Sequence, residues 1–201
     1  YRDPQLRFYN TVSKNFTENY HPMLGLMNNA PVDYPLNNGV LRHSIVAGVI
    51  CPVGHENIFS NFIVGMNQRS DAKHNVDFLV SFPGFFQAFK TGLDLPNPTS
   101  DKWQSISSTN NPDVYSATVE FGKAITRKID QLSSQSVDAI LIYIPKEYEV
   151  FTSYSRDSEK FDLHDYVKAY AAQRQVATQF VREKTIESEL HCQIMWALSL
   201  A

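Results

Sequence analysis

Three polar residues in the last quarter of the chain have types and spacing suited to binding a small anion. His164 and Lys168 are four residues apart, so on a helix they lie on the same side, one turn apart. Gln179 follows in an apolar run at 176–181 that is typical of a strand. A lysine supplies a point charge, an imidazole a donor or a flat ring, and an amide two N–H donors. Together they predict a pocket for a terminal 5′-phosphate and the base beside it.

Each of the three residues also has a simpler interpretation. A helical histidine such as His164 commonly lies on the surface or between helices, and a helical lysine such as Lys168 is usually solvated. Gln179 is harder to explain in this way, because a buried amide without a partner is costly. A structural hydrogen bond would satisfy it. Both interpretations stay open for all three residues.

The elements that must position these residues alternate between strands and helices. Hydrophobic patterns predict strands at residues 44–51, 76–82, 103–108, 137–144 and 176–181, and helices at 56–67, from Pro112 onward, and from about Asp162. This order predicts an open, Rossmann-like, mainly parallel α/β sheet with helices on both faces. Ligands of such sheets bind at the carboxyl ends of the strands. The loop 145–160 and the helix with His164 follow such an end, where unpaired backbone N–H groups also favour an anion.

Three aromatic residues lie in that loop: Tyr148, Phe151 and Tyr154. Their rings could stack on a nucleic-acid base, or they could pack the loop back onto the sheet. The sequence favours neither alternative.

The rest of the chain indicates an irregular lead-in at residues 1–38, with one strand at 5–9, followed by a single domain at 39–201. The lead-in is rich in Asn, Pro and Tyr and has little helical periodicity. The chain begins with Tyr1 rather than Met, and an apolar helical pattern at 192–200 runs on without a stop signal. We therefore expect this sequence to be part of a longer protein.

Composition limits the classes of function. With 201 residues, 43% of them hydrophobic, the chain can form a proper core. Its net charge of −3 supplies no broad basic surface for coating a duplex, so nucleic-acid binding would have to be local. Cys51 and Cys192 lack the spacing of a disulfide framework or a zinc site, which fits a reducing cytoplasm. No apolar run is long enough to predict a membrane span.

Several catalytic and nucleotide-binding motifs are absent from the sequence: GxGxxG, GxxxxGK[ST], GxSxG and HExxH. No active site is visible, and we expect a binding domain rather than an enzyme. Two alternatives stay open. One is a Rossmann-like small-molecule enzyme in which His164 acts as acid or base and Lys168 holds the substrate. The other is an interaction scaffold with a vestigial phosphate site.

Four stretches of the last third carry a family resemblance: 138–145 (DAILIYIP), 161–170 (FDLHDYVKAY), 177–183 (ATQFVRE) and 195–201 (MWALSLA). Weaker similarity covers 5–8, 25–26 with 30–31, and 82–85. In these stretches the chain resembles the N-terminal segment and MID domain of prokaryotic Argonautes, most closely the short Argonautes that act with a separate partner protein.

The resemblance implies a domain that anchors the 5′-phosphorylated end of a guide strand, RNA or DNA, in defence against foreign DNA. Lys168 matches the family's first phosphate lysine and Gln179 its phosphate-contacting glutamine. His164 occupies the position of a tyrosine that stacks on the first guide base, and loop 146–160 matches the segment that reads that base. The family's second phosphate lysine would lie beyond Ala201.

The resemblance also implies partners and a cofactor. The guide would pair with complementary target DNA, and Mg²⁺ would bridge guide phosphates. An APAZ-domain protein with a TIR-like or sirtuin-like module would serve as effector. The RNase H-like PIWI domain, often inactive in short Argonautes, would follow Ala201, so this chain itself would not cleave nucleic acid.

Overall fold

The computed structural model describes residues 4–37, 44–72, 79–107, 109, 111–156 and 159–200. Its elements in chain order are β1 (Leu6–Asn10), β2 (Asn15–Asn19), α1 (Pro22–Asn28), β3 (Ile45–Pro52), α2 (Glu56–Ile63), α3 (Phe85–Phe89), β4 (Leu93–Asp94), β5 (Trp103–Ile106), α4 (Val114–Ser133), β6 (Ala139–Ile144), β7 (Ser153–Arg156), β8 (Glu159–Asp162), α5 (Leu163–Ala172), β9 (Ala177–Arg182), α6 (Glu183–Ile186) and α7 (His191–Leu200). Short 3-10 helices cover Tyr34–Asn37, Val64–Asn67 and Lys146–Phe151.

The chain divides into two compact units. One comprises residues 1–45, 64–93 and 189–201, and the other comprises 46–63 and 94–188. The predicted boundary between a lead-in at 1–38 and a domain at 39–201 lies between two residues outside the described ranges, and it stays a prediction.

The first unit contains more regular structure near its N-terminus than the sequence predicted. The strand expected at 5–9 is confirmed as β1, which forms an antiparallel hairpin with β2. Helix α1 packs on this hairpin at Gly25, where a Cβ atom would lie 2.2 Å from the ring of Phe8. Such close approach requires glycine at this position of the helix.

The second unit is built on an open, mainly parallel sheet, as predicted. The strand order is β4-β3-β6-β9, with β5 also paired to β3. The pairs β3–β5, β3–β6 and β6–β9 are all parallel. In the register of the last pair Ile144, which ends β6, lies beside Arg182, which ends β9. The carboxyl ends of these two strands therefore meet at one edge.

Helices pack on both faces of this sheet. On one face, Ile140, Ile142 and Ile144 of β6 join a core formed with α4 and α5. On the other face, the ring of Tyr143 stacks on Phe59 of α2, with 4.9 Å between ring centroids. This alternation along β6 is the period of two expected for a strand that is buried on both sides.

Helix α5 is joined to α4 by a polar network at the far end from its first turn. The Tyr170 hydroxyl donates to an Asp130 carboxylate oxygen at 2.7 Å. The Arg174 guanidinium also pairs with Asp130, and it lies 3.5 Å from the centroid of the Tyr170 ring. These contacts supplement the apolar packing that orients α5 on the sheet.

The structure corrects two predicted boundaries. Helix α4 begins at Val114 rather than at Pro112, because Asp113 is the N-cap and accepts a hydrogen bond from Ser116 N at 2.9 Å. The helix expected at 56–67 is α-helical only to Ile63 and continues as a 3-10 turn.

The strand predicted at 76–82 is not found in its described part. Residues 76–78 lie outside the described ranges, and 79–82 form only an isolated bridge between Phe82 and Ser70. Within the described ranges, the helices are all too short or too polar to cross a membrane.

Candidate functional site

A cavity of about 350 Å³ lies where the carboxyl ends of β6 and β9 meet the first turn of α5. It is lined by Ile144, Thr152, Ser153, Asp162, Leu163, His164, Gln179, Phe180, Arg182 and Thr185. The cavity is therefore at the edge of the sheet where parallel α/β folds bind their ligands.

The first turn of α5 positions His164 at the cavity. Asp162 is the N-cap, and its carboxylate accepts a hydrogen bond from Asp165 N at 3.0 Å. The His164 side chain is 58% exposed, and its Nδ1 lies 3.1 Å from the Asp165 carboxylate. Its ring centroid is 5.6 Å from that of Phe180 on β9. The imidazole therefore lies beside an aromatic ring and is more than half exposed to solvent.

Gln179 lines the same cavity from β9. Its side chain is half-buried, and its Nε2 donates to the carbonyl oxygen of Phe180 at 3.3 Å. The structure thus brings His164 and Gln179 together. The hydrogen bond to Phe180 also matches the simpler interpretation, in which a structural partner satisfies the Gln179 amide.

The Lys168 side chain does not point into the cavity beside His164, as the helical spacing of the two residues suggested. It is not among the residues that line the cavity, and its Nζ donates to the carbonyl oxygen of Thr178. The Ala177 N–H donates to the carbonyl oxygen of Asp138, which lies on the β6 side of β9. In a strand, the backbone N–H and C=O groups of successive residues point to alternate sides. The Thr178 carbonyl therefore faces away from β6, and Lys168 satisfies it there.

The cavity also contains four polar residues that sequence analysis did not single out: Thr152, Ser153, Arg182 and Thr185. Arg182 is exposed, and its guanidinium makes no hydrogen bond or ion pair with any described residue. In a continuous strand Gln179 and Arg182 would point to opposite faces. Strand β9 ends at Arg182, which is also the N-cap of α6, so strand periodicity does not predict where its side chain lies.

The three loop aromatics pack against α4. The Tyr148 side chain is buried, and its ring centroid lies 5.3 Å from that of Phe121 on α4. The ring centroid of Phe151 lies 5.8 Å from the same Phe121 ring. Tyr154 lies on β7 and contacts Tyr115 with 4.9 Å between centroids. The loop is therefore folded back, one of the two alternatives left open above. A role in reading a base stays a prediction for all three residues.

Possible metal ligands cluster at the rim of the cavity. One donor atom each of Asp162, His164 and Asp165 lies within 4.8 Å of the others, and all three residues are exposed. Carboxylate oxygens are the ligands that Mg²⁺ prefers. The donor chemistry therefore fits the divalent cation that the resemblance implies.

Comparisons with known proteins bear on the fold. No protein-family model and no curated protein matches the chain. Among solved structures, Drosophila Piwi is similar over 98% of this chain, at 13% identity and a TM-score of 0.53. The chain has an Argonaute-like fold. The predicted resemblance is thereby confirmed at the level of the fold. The chain spans about a fifth of the Piwi chain, since the match covers 21% of it.

Two Argonaute structures are similar at lower TM-scores. The Argonaute of Aquifex aeolicus matches 80% of this chain and 18% of its own, at 15% identity and a TM-score of 0.39. The Argonaute of Methanocaldococcus jannaschii matches 98% of this chain and 25% of its own, at 10% identity and a TM-score of 0.44.

Proposed function

We propose that the cavity binds the 5′-phosphorylated end of a guide strand and that the chain is the guide-anchoring part of a prokaryotic Argonaute. One observation carries the proposal. His164 and Gln179 meet in a cavity at the carboxyl ends of β6 and β9, beside the first turn of α5. The fold shared with part of Piwi supports the same conclusion.

End recognition suits a chain with net charge −3, because it needs only a few contacts. A charge-assisted hydrogen bond to a phosphate is worth roughly 1.5–3 kcal/mol. Three or four such donors in one cavity would distinguish a 5′-phosphate from a 5′-hydroxyl strongly. The exposed imidazole of His164 would stack on the first base, next to the ring of Phe180.

Lys168 would join the phosphate contacts by leaving the Thr178 carbonyl. A hydrogen bond between two charged groups is stronger than one to a neutral carbonyl, so a phosphate competes well for the ammonium group. The lysine stem is long and flexible, which allows the side chain to swing without movement of α5.

Mg²⁺ is proposed as the counterion of the bound phosphates. Asp162 and Asp165 would hold it, because their carboxylates lie at the rim of the cavity and supply hard oxygen ligands. Bound there, the ion would neutralise the negative charge that these carboxylates otherwise present to a phosphate.

The wider role proposed from the resemblance is that of a short Argonaute in defence against foreign DNA. Its guide, most simply RNA, would pair with complementary target DNA. An APAZ-domain protein with a TIR-like or sirtuin-like module would be the effector. We assign no catalytic residue in this chain.

The first test is binding of a 3′-labelled RNA with either a 5′-phosphate or a 5′-hydroxyl. We expect the protein to prefer the phosphorylated strand, and Lys168→Ala to lose about tenfold or more of that preference. Lys123→Ala is the matched control, because Lys123 is an exposed lysine on α4 that does not line the cavity. Replacing Mg²⁺ with EDTA should weaken binding of the phosphorylated strand alone.

Equal binding of the two strands by the wild-type protein would contradict the proposal and favour the interaction scaffold. Turnover of a small phosphorylated or carboxylated compound, abolished by His164→Ala, would favour the enzyme instead. If Lys123→Ala weakens binding as much as Lys168→Ala, binding is a general charge effect rather than recognition of the guide end.

A further inference from the structure

We infer that Arg182 contacts the terminal phosphate of the ligand and supplies a positive charge that lines the cavity before the ligand binds. This inference rests on the proposed function, since it takes the ligand to be a 5′-phosphorylated strand. It adds a residue that neither the sequence spacing nor the family resemblance assigned to the site.

The charge inventory of the cavity leads to Arg182. Among its described lining residues, Arg182 is the only lysine or arginine, and Asp162 contributes a negative charge. Lys168 lies outside the lining, with its ammonium group hydrogen-bonded to Thr178. Without Arg182, the lining of the cavity would offer a phosphate dianion only neutral donors and the His164 imidazole.

Arg182 is also free to bind. Two other arginines of the described chain already have acidic partners: Arg69 pairs with Asp71 at 2.8 Å, and Arg174 pairs with Asp130. The guanidinium of Arg182 makes no such contact with a described residue. Binding a phosphate would therefore break no existing ion pair, and the group remains solvated until the ligand arrives.

The neighbouring donors suit a terminal phosphate in particular. Ser153, Gln179 and Thr185, which all carry polar side chains, line the cavity together with Arg182. A guanidinium is a planar fork that can bind two phosphate oxygens at once. A phosphate monoester has a second pKa of about 6 and so carries close to two negative charges at pH 7. An internal phosphodiester carries only one charge and has fewer free oxygens.

The test compares Arg182→Gln and Arg182→Lys with the control Arg127→Gln. Arg127 is an exposed arginine on α4 that makes no side-chain hydrogen bond with a described residue and does not line the cavity. Fluorescence anisotropy would give Kd for the same 3′-labelled RNA with a 5′-phosphate or a 5′-hydroxyl. Thermal unfolding midpoints would verify that each variant is folded, as expected for an exposed residue.

We expect Arg182→Gln to weaken binding of the phosphorylated strand by about tenfold to a hundredfold. Binding of the hydroxyl strand should change little. Arg182→Lys should retain part of the affinity, because lysine keeps the charge but not the fork. Arg127→Gln should bind both strands as the wild type does.

Two failures can be told apart. If the wild type prefers the 5′-phosphate, Lys168→Ala loses that preference and Arg182→Gln keeps it, the role of Arg182 is refuted while the proposed function stands. If the wild type shows no preference, the proposed function itself fails. An equal loss for both strands in Arg182→Gln would assign the residue to an internal phosphate and overturn the terminal assignment.

Discussion

Tyr143 buries a hydroxyl that the fold does not use. Its side chain is fully buried, and the Oη atom has no hydrogen-bond partner among the residues that the structure describes. Burial, with smaller contributions from Glu183 and Cys51, raises its pKa to about 12. Because an unpaired buried polar group is unfavourable, we expect Tyr143→Phe to raise the free energy of unfolding by up to about 1 kcal/mol. Denaturation in urea would measure the change.

Tyr170→Phe is the matched control, since its hydroxyl donates to Asp130 at 2.7 Å. That variant should lose about 0.5–1.5 kcal/mol of stability. If Tyr143→Phe is destabilised to the same degree, the Tyr143 hydroxyl has a partner and the prediction is wrong.

Residue types predicted part of the candidate site. His164 and Gln179 were found because a polar group in an apolar pattern needs an explanation, and the structure brings both into one cavity. Spacing alone could not show that Lys168 would reach a strand carbonyl, because a long side chain has several possible directions. Arg182 was missed because exposed arginines are common, and only the structure shows which cavity it lines.

At the scale of elements, the polar contact that joins the C-terminal end of α5 to α4 depends on the Asp130 carboxylate. Asp130 accepts hydrogen bonds from Tyr170 and Arg174, and these two contacts lower its pKa below the usual 3.8. The carboxylate is about half exposed. We therefore expect Asp130→Asn to cost no more than about 0.5–1 kcal/mol of stability at neutral pH, as for a solvated ion pair.

The cost of Asp130→Asn should depend on pH in a defined direction. A depressed pKa means that the folded state binds fewer protons, so the stabilisation is complete above the unfolded pKa and is lost as pH falls through the folded one. The stability difference between wild type and Asp130→Asn should be constant above about pH 5 and shrink below about pH 4. A difference that does not shrink as the pH falls below about 4 would contradict the ionic explanation. Urea denaturation across this range would measure it.

Elements with strong apolar patterns were predictable, and polar ones were not. Strands β3 and β6 are continuous apolar runs because both of their faces are covered by helices. The β7–β8 hairpin contains mostly exposed residues, so no alternation marks it in the sequence. Hairpin β1–β2 is also largely exposed, and α1 depends on a close approach at Gly25 that only the folded structure shows.

At the scale of the whole molecule, net charge predicts how binding responds to salt. The chain carries −3 overall, so a guide strand would be held by its end rather than along its length. Each phosphate contact with a single strand contributes roughly −0.7 to the slope of log Kobs against log salt concentration. One or two contacts predict a slope of about −1, measurable by anisotropy between 50 and 200 mM salt as roughly a fourfold loss of affinity.

A much steeper slope, of about −4 or beyond, would contradict end recognition and indicate a basic track along the strand. The 5′-hydroxyl strand serves as the control. Its slope should be shallower than that of the phosphorylated strand by the contribution of the terminal phosphate.

The hydrogen bond from Lys168 to Thr178 has a consequence for self-association. β9 is the last strand of the described sheet, and its outward carbonyls can template the strand of another copy. A lysine at such an edge opposes strand addition, because pairing would bury its charge. Substitution of Lys168, or a move of its side chain to a bound phosphate, would leave the Thr178 carbonyl without this hydrogen bond. Occupancy of the cavity and the tendency of the protein to oligomerise would thus be coupled through a single side chain.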